Sequence, residues 1–262
     1  MAANYARFLL AYIKLNLAAA MEYRAAFLAQ TLGMLLNDAV FFIFWAIYFA
    51  RFQEVSGWGM RDVALIWAVA ATSVGLAVAL VGNCTRLATV IVEGQLDYYL
   101  SLPKASLPHV LVSRMGLSGW GDVAFGLLAF ATFGPHDPGS IALYVLLICS
   151  SMLIFVAAMV IAGSLAFFIG SAEAASFQVF QAVITFSVYP GAMFNGWVKL
   201  LIFTAIPAGF ISHVPVQLLT QFDPLLLAGL LGFTTLSVAL SCLVFAVGVR
   251  RYESGNLVMM RG

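Results

Sequence analysis

The chain has 262 residues, 63% of them hydrophobic and 9% charged, with a formal net charge of +1. Soluble domains carry about a quarter charged residues, so water is not the main solvent of this chain. A near-neutral balance held in short clusters also offers no basic face for nucleic acid. Cys84, Cys149 and Cys242 are too scattered for a disulfide framework, and His109, His136 and His213 lack the close spacing of imidazoles that share a metal.

Residues 1–26 place Arg7 before an apolar stretch and then Ala18-Ala19-Ala20, features that a secretion signal also has. Lys14 and Asn16 interrupt that stretch. Asn4, Arg7, Lys14 and Glu22 recur at helical spacing opposite Phe8, Leu9, Tyr12 and Ile13, which predicts an amphipathic helix lying in the membrane surface.

A helix needs about twenty apolar residues to cover a hydrocarbon core of roughly 30 Å. Residues 27–50 supply the first predicted span, 63–82 the second and 109–133 the third. The run 140–189 is too long for one helix, and its polar break, Gly170-Ser171-Ala172-Glu173, divides it into spans four and five. Residues 225–249 make a sixth. Between the last two spans, 198–211 is apolar but too short to cross and is closed off by Pro207, Pro215 and Pro224. Irregular backbone cannot face lipid, so the segment 191–224 is predicted to hold a re-entrant hairpin shielded by the other helices.

Positive residues near span ends are retained in the cytoplasm. Arg7, Lys14, Arg24, Arg86, Lys104, Arg114, Arg250, Arg251 and Arg261 fall on one face, against Arg51, Arg61 and Lys199 on the other. Both termini are therefore expected in the cytoplasm and the hairpin outside. The fold class is all-α and polytopic, a single transmembrane domain over 1–262, with no internal repeat and no soluble stretch large enough for an enzyme domain.

Lys14, Lys104 and Lys199 are the only lysines and none follows a glycine, so the chain has no phosphate-binding loop of its own. The cytosolic segment 84–108 alternates apolar and charged blocks and ends at Pro103 and Pro108. Its residues around Glu93 fit an interfacial connector, with Tyr98, Tyr99 and Leu100 covering the lipid boundary. They equally fit a short helix that inserts into a cleft on a cytosolic partner.

Within the spans, Asp38 and Asp122 stand out, because a carboxylate at mid-bilayer costs at least about 2.5–3.5 kcal/mol unless paired or hydrated. Both are candidate cargo contacts. The alternative is structural, with Asp38 beside Asn37 and Asp122 two helical turns from Arg114. Gly116, Gly119, Gly121, Gly163 and Gly170 read as close helix packing, and Met152, Met159, Phe155, Phe167 and Phe168 as an adaptable apolar stripe. Two rival functions follow from isolated groups: a membrane enzyme acting on lipids through Asp38, Asp122 or Glu173, and an ion-driven carrier. The first needs convergent polar groups and the second inverted repeats; neither is visible.

Glu93-Gly94-Gln95-Leu96-Asp97 with Leu100 and Pro103, then Tyr189-Pro190, Ile206-Pro207-Ala208-Gly209-Phe210-Ile211 with Pro215, and Arg250-Arg251-Tyr252-Glu253-Ser254, stand in an order and spacing that resemble the membrane subunits of type-2 ATP-binding-cassette exporters, in their six-span bacterial branch. The resemblance runs over roughly residues 20–255. It implies a permease of the bacterial inner membrane that moves a hydrophobic or amphiphilic substrate outward. It further implies two cytosolic ATPase subunits, a second permease protomer, identical or related, and ATP and Mg held by the ATPases and no cofactor on this chain. The coupling residues it implies are Arg86, Glu93, Gly94, Asp97, Tyr98, Leu100 and Pro103, and Tyr189, Pro190, Pro207 and Pro215 mark the re-entrant segment.

Overall fold

The computed structural model describes residues 2–54, 57–170, 172–194, 196–204 and 206–252. Ser171, Glu253, Ser254 and Arg261, which entered the expectations above, lie outside the described residues. The helices are α1 (Ala2–Glu22), α2 (Arg24–Arg51), α3 (Met60–Val81), α4 (Leu87–Val92), α5 (Leu96–Leu100), α6 (Ser106–Val112), α7 (Gly119–Phe133), α8 (Pro138–Ser164), α9 (Ala166–Ile169), α10 (Glu173–Val188), α11 (Gly196–Ile202), α12 (Val214–Thr220) and α13 (Pro224–Val249). No strand occurs among the described residues.

Among the described residues, four helical stretches are long and apolar enough to cross a bilayer: α2, α3 continued through α4, α8 continued through α9, and α13. The first predicted helix is separate from the first span because the backbone turns at Tyr23 (φ −105°, ψ 58°). Asp137 and Asp223 start α8 and α13. Each accepts hydrogen bonds from backbone N–H groups of its helix and each is followed by proline at the first helical position.

A helix apolar on all sides belongs inside, and α3 is buried without interruption from Val63 to Gly75. It packs most extensively on α7 and α8. Its buried hydroxyl side chains find partners within the bundle. Thr72 Oγ1 donates to Ala68 O (2.7 Å), and Tyr144 of α8 donates to the same carbonyl (3.0 Å) while stacking on Phe130 of α7.

Small residues bring the backbones together, as membrane helices require. An added Cβ at Gly75 of α3 would lie 2.7 Å from Gly119 O, and one at Gly121 of α7 would lie 2.8 Å from Met34 Cβ of α2. Gly163 of α8 meets Leu87 in the same way, at 2.7 Å. Helix α7 is thus held between α2 and α3.

Three expectations need correction. The predicted third span, 109–133, is two helices: α6 ends at Val112 and α7 starts at Gly119. The reason is a backbone exchange, because Gly82 N donates to Arg114 O (2.9 Å) and Gly116 N to Val78 O (2.8 Å). These bonds replace helical ones on both chains. The same exchange leaves residues Gly82–Arg86 as a tight 3-10 turn, after which the helix resumes as α4. The second expectation, an apolar run ending at Gly82, is therefore too short: Leu87, Ala88, Val90 and Ile91 are buried, and the exposed turn starts at Glu93. Third, α7 and α10 have 15 and 16 residues, about 22–24 Å at 1.5 Å per residue, short of the roughly 30 Å core that a span was expected to cover.

The break at Gly170 to Glu173 is where expected. Helix α9 ends at Ile169, Gly170 follows with φ +69°, and α10 begins at Glu173. After α11, Ile206 N donates to Leu201 O (2.9 Å), and a π-turn at Gly209–His213 leads into α12. Pro215, without an N–H, cannot donate one turn back, which fits the wider turn just before it.

Gly121→Val should lower stability by about 2 kcal/mol through overpacking against α2. Gly33→Ala, where an added Cβ meets nothing within 4 Å, should be neutral or stabilising. Thermal unfolding midpoints of the two detergent-purified variants check the contrast.

Candidate functional site

The turn after α4 is shaped by Gly94 at φ +72°, a conformation that glycine adopts without strain. Gly94 N donates to Ile91 O (3.1 Å) and Asp97 N to Gly94 O (3.3 Å), which launches the short helix α5. Leu96 is fully buried and anchors it, whereas Glu93, Gln95, Asp97, Tyr98, Leu100 and Pro103 are exposed. Gln95 Nε2 donates to Glu93 Oε2 (2.8 Å). The result is a small projecting elbow carrying two acids, a tyrosine and a leucine on one anchored turn. Six of the seven residues assigned to coupling from the sequence lie on this elbow. Arg86 does not: it is half-buried at the end of the 3-10 turn and lines a cavity on its own side of the bundle.

The elbow is braced from two sides. His109 Nε2 and Tyr12 OH of α1 share a hydrogen bond (2.9 Å), and the His109 ring packs edge-on against Phe8, Tyr12 and Tyr99 at 5.0–5.1 Å. Tyr99 OH bonds to Ser113 Oγ (2.8 Å), which also receives Asn83 Nδ2 (2.8 Å). On the other side Tyr252, past the end of α13, lies against Phe167 (5.8 Å between centroids) and beside Gly94 and Asp97. Burial, and then the adjacent Asp97 carboxylate, push the Tyr252 phenol up to about 12, so it stays protonated at neutral pH. In the sequence, the tyrosine pair at 98–99, the apolar face with Phe8 and Tyr12, and Tyr252 of the last motif each hinted at one part of this cluster.

Asp38 of α2 and Asp122 of α7, far apart in sequence, come side by side in a cavity of about 660 Å³. They are 5% and 9% exposed, and Asp38 Oδ2 has no hydrogen-bond partner. Phe41, Trp45, Trp67 and Phe180 line the same cavity with Asn37 and Gln181. The helical spacing from Asp122 to Arg114 does not operate, because Arg114 sits in the break before α7 and is exposed. Glu173 is not among the lining residues. Two carboxyls walled by aromatic faces make a place for a cationic head on an apolar body, since ring faces and carboxylates both attract positive charge. Among the described residues no cluster of three or more His, Cys, Asp or Glu could hold a metal.

Tyr189 and Pro190 close α10 at the rim of this cavity. His213 Nε2–H donates to Tyr189 O (2.9 Å), Ser212 to Ser187 O (2.6 Å), and Trp45 meets the Tyr189 ring at 5.8 Å. Pro215 is buried in α12, and Pro207 lies just before the π-turn, half-buried. The π-turn is therefore tied to the helix end that bounds the cavity.

An all-helical bundle with bilayer-length spans, an internal cavity and a projecting elbow defines a polytopic membrane protein. Residues 35–255 match a family model described as ABC-2 family transporter protein, and the chain belongs to that family. No curated protein and no solved structure matches it. Membership makes the chain an ABC-2 type permease subunit, the membrane component of a transporter, and implies an ATPase partner.

Leu96→Ala should cost about 3 kcal/mol, as expected for a large-to-small change at a filled site. Tyr98→Ala, at an exposed position, should stay within about 0.5 kcal/mol of wild type. Denaturant midpoints in detergent distinguish the two.

Proposed function

We propose that this chain is one permease protomer of an ATP-driven exporter of the bacterial inner membrane, working with a second permease protomer and two cytosolic ATPase subunits. ATP and Mg are held by the ATPases. The observation that carries the reading is the anchored elbow at Glu93 to Pro103 in a member of the ABC-2 family whose sequence has no phosphate-binding loop. The elbow is the coupling element: ATP binding draws the ATPases together, displaces α5 and tilts the protomers so that a central route alternates its opening. Counting α7 and α10 as short spans gives six crossings with both termini cytoplasmic, and the 196–220 segment is then a hairpin re-entrant from the outer side.

The cargo is a hydrophobic or amphiphilic molecule, and Asp38 and Asp122 favour one that carries a positive charge. An unpartnered carboxylate oxygen in an aromatic cavity is costly unless a cation or proton meets it. An enzyme acting on lipids would use the same two carboxyls, but membership in a transporter family favours transport.

Asp97→Arg should weaken ATPase association by roughly tenfold, about 1.4 kcal/mol, while leaving the thermal midpoint unchanged. Co-purification at wild-type yield with unchanged stimulated ATP turnover contradicts the coupling role. Asp38→Asn and Asp122→Asn should each slow export of cationic amphiphiles more than of neutral analogues, with ATPase association intact. Equal export of both classes by both variants makes the carboxyls structural.

A further inference from the structure

The cavity that takes Arg86 adjoins the acidic one, sharing Val78, Thr85 and Ser118 with it, and is opposite in sign. It has a volume of about 570 Å³ and is lined by Arg86 and Arg114, with Asn16 of α1, Tyr23 at the turn between α1 and α2, Gln30 of α2 and Ser118. The two arginines are 28 residues apart in sequence, and the backbone exchange holds them together: Arg114 O accepts from Gly82 N at 2.9 Å, four residues before Arg86. No carboxylate lines the cavity. Asn16 is already committed, its amide donating to Val112 O (2.8 Å), which fixes the α1 wall in place.

Depth and chemistry agree on the ligand. Gln30 lies six residues into α2, about 9 Å along the axis from its first residue, so the cavity sits at the height of the headgroup layer if α2 crosses the bilayer. One wall is α1, a largely exposed helix with an amphipathic pattern. Two guanidiniums facing a shared space repel unless an anion lies between them, and the planar forks of arginine match the oxygens of a phosphate. We propose that this cavity binds a phosphate group, supplied by the headgroup of an anionic phospholipid that enters beside the junction of α1 and α2. Arg86 then grips lipid and takes no part in the docking face, and the bound headgroup links α1, α2 and the break before α7. This assignment does not depend on the direction of transport or on the cargo.

The test uses the full chain in uncharged detergent, titrated separately with phosphatidylglycerol, phosphatidylcholine and inorganic phosphate. Bound lipid is counted by native mass spectrometry and stabilisation is read from the thermal midpoint. Wild-type protein should retain phosphatidylglycerol in preference to phosphatidylcholine, and the double variant Arg86→Gln, Arg114→Gln should bind it roughly tenfold more weakly. Arg51→Gln, at the far end of α2, should bind as wild type does. Where the double glutamine variant fails to fold, Arg86→Lys with Arg114→Lys keeps the charge but loses the forks, and should still weaken binding several-fold. Undiminished phosphatidylglycerol binding by the variant that folds, or equal retention of the two lipids by wild type, overturns the proposal. Stabilisation by inorganic phosphate with no retention of phosphatidylglycerol overturns the lipid assignment, because the phosphate then comes from solution.

Discussion

The close approach of α3 and α7 is the contact on which the rest of the molecule depends. Gly75 and Gly119 let two backbones touch, and just beyond them Gly82 and Gly116 each donate a hydrogen bond to the other strand of chain. A backbone N–H without a partner inside a membrane costs several kcal/mol. Two helices can therefore break at the same level only if each satisfies the groups that the other frees. That reciprocal break creates the 3-10 turn, sets α4 on a new course toward the elbow, and aligns Asp122 with Asp38 and Arg114 with Arg86. Both cavities are consequences of one junction.

Much of the architecture was legible because lipid imposes a simple rule on sequence. Apolar length located α2, α3, α8 and α13, and the polar break at Gly170 to Glu173 located the end of α9. Asp-Pro pairs at 137–138 and 223–224 mark helix starts by a local mechanism, the side-chain cap. The interruption at 113–118 was hidden because its cause is tertiary. Glycines there read as packing residues, which they are, but nothing local shows that their N–H groups are claimed by α3. The continuation of α3 into α4 was hidden for the same reason, since Arg86 and Glu93 made an amphipathic helix look like a loop.

The candidate site was legible in part. Glu93, Gly94, Asp97, Tyr98, Leu100 and Pro103 share one exposed turn as the motif suggested, because a glycine with positive φ followed by a buried leucine is a local device. Arg86 was grouped with them by the family resemblance, and the 3-10 turn holds it away from the elbow. Asp38 and Asp122 were each conspicuous as charges among apolar residues, but their pairing is a long-range contact between α2 and α7 that no spacing encodes. The pairing of His109 with Tyr12 was hidden because it joins helices nearly a hundred residues apart, and an aromatic or imidazole side chain in an apolar stretch has no distinctive neighbours in sequence.

The bracing around α5 has a mechanical outcome. Through Tyr99, His109 and Tyr12 the elbow holds the first helix of the chain, and through Gly94, Tyr252 and Phe167 it holds the last. The first and last described helices thus meet at a single turn. Under the proposed coupling role, a load applied there reaches two peripheral levers at once, without having to travel through the tightly packed α3.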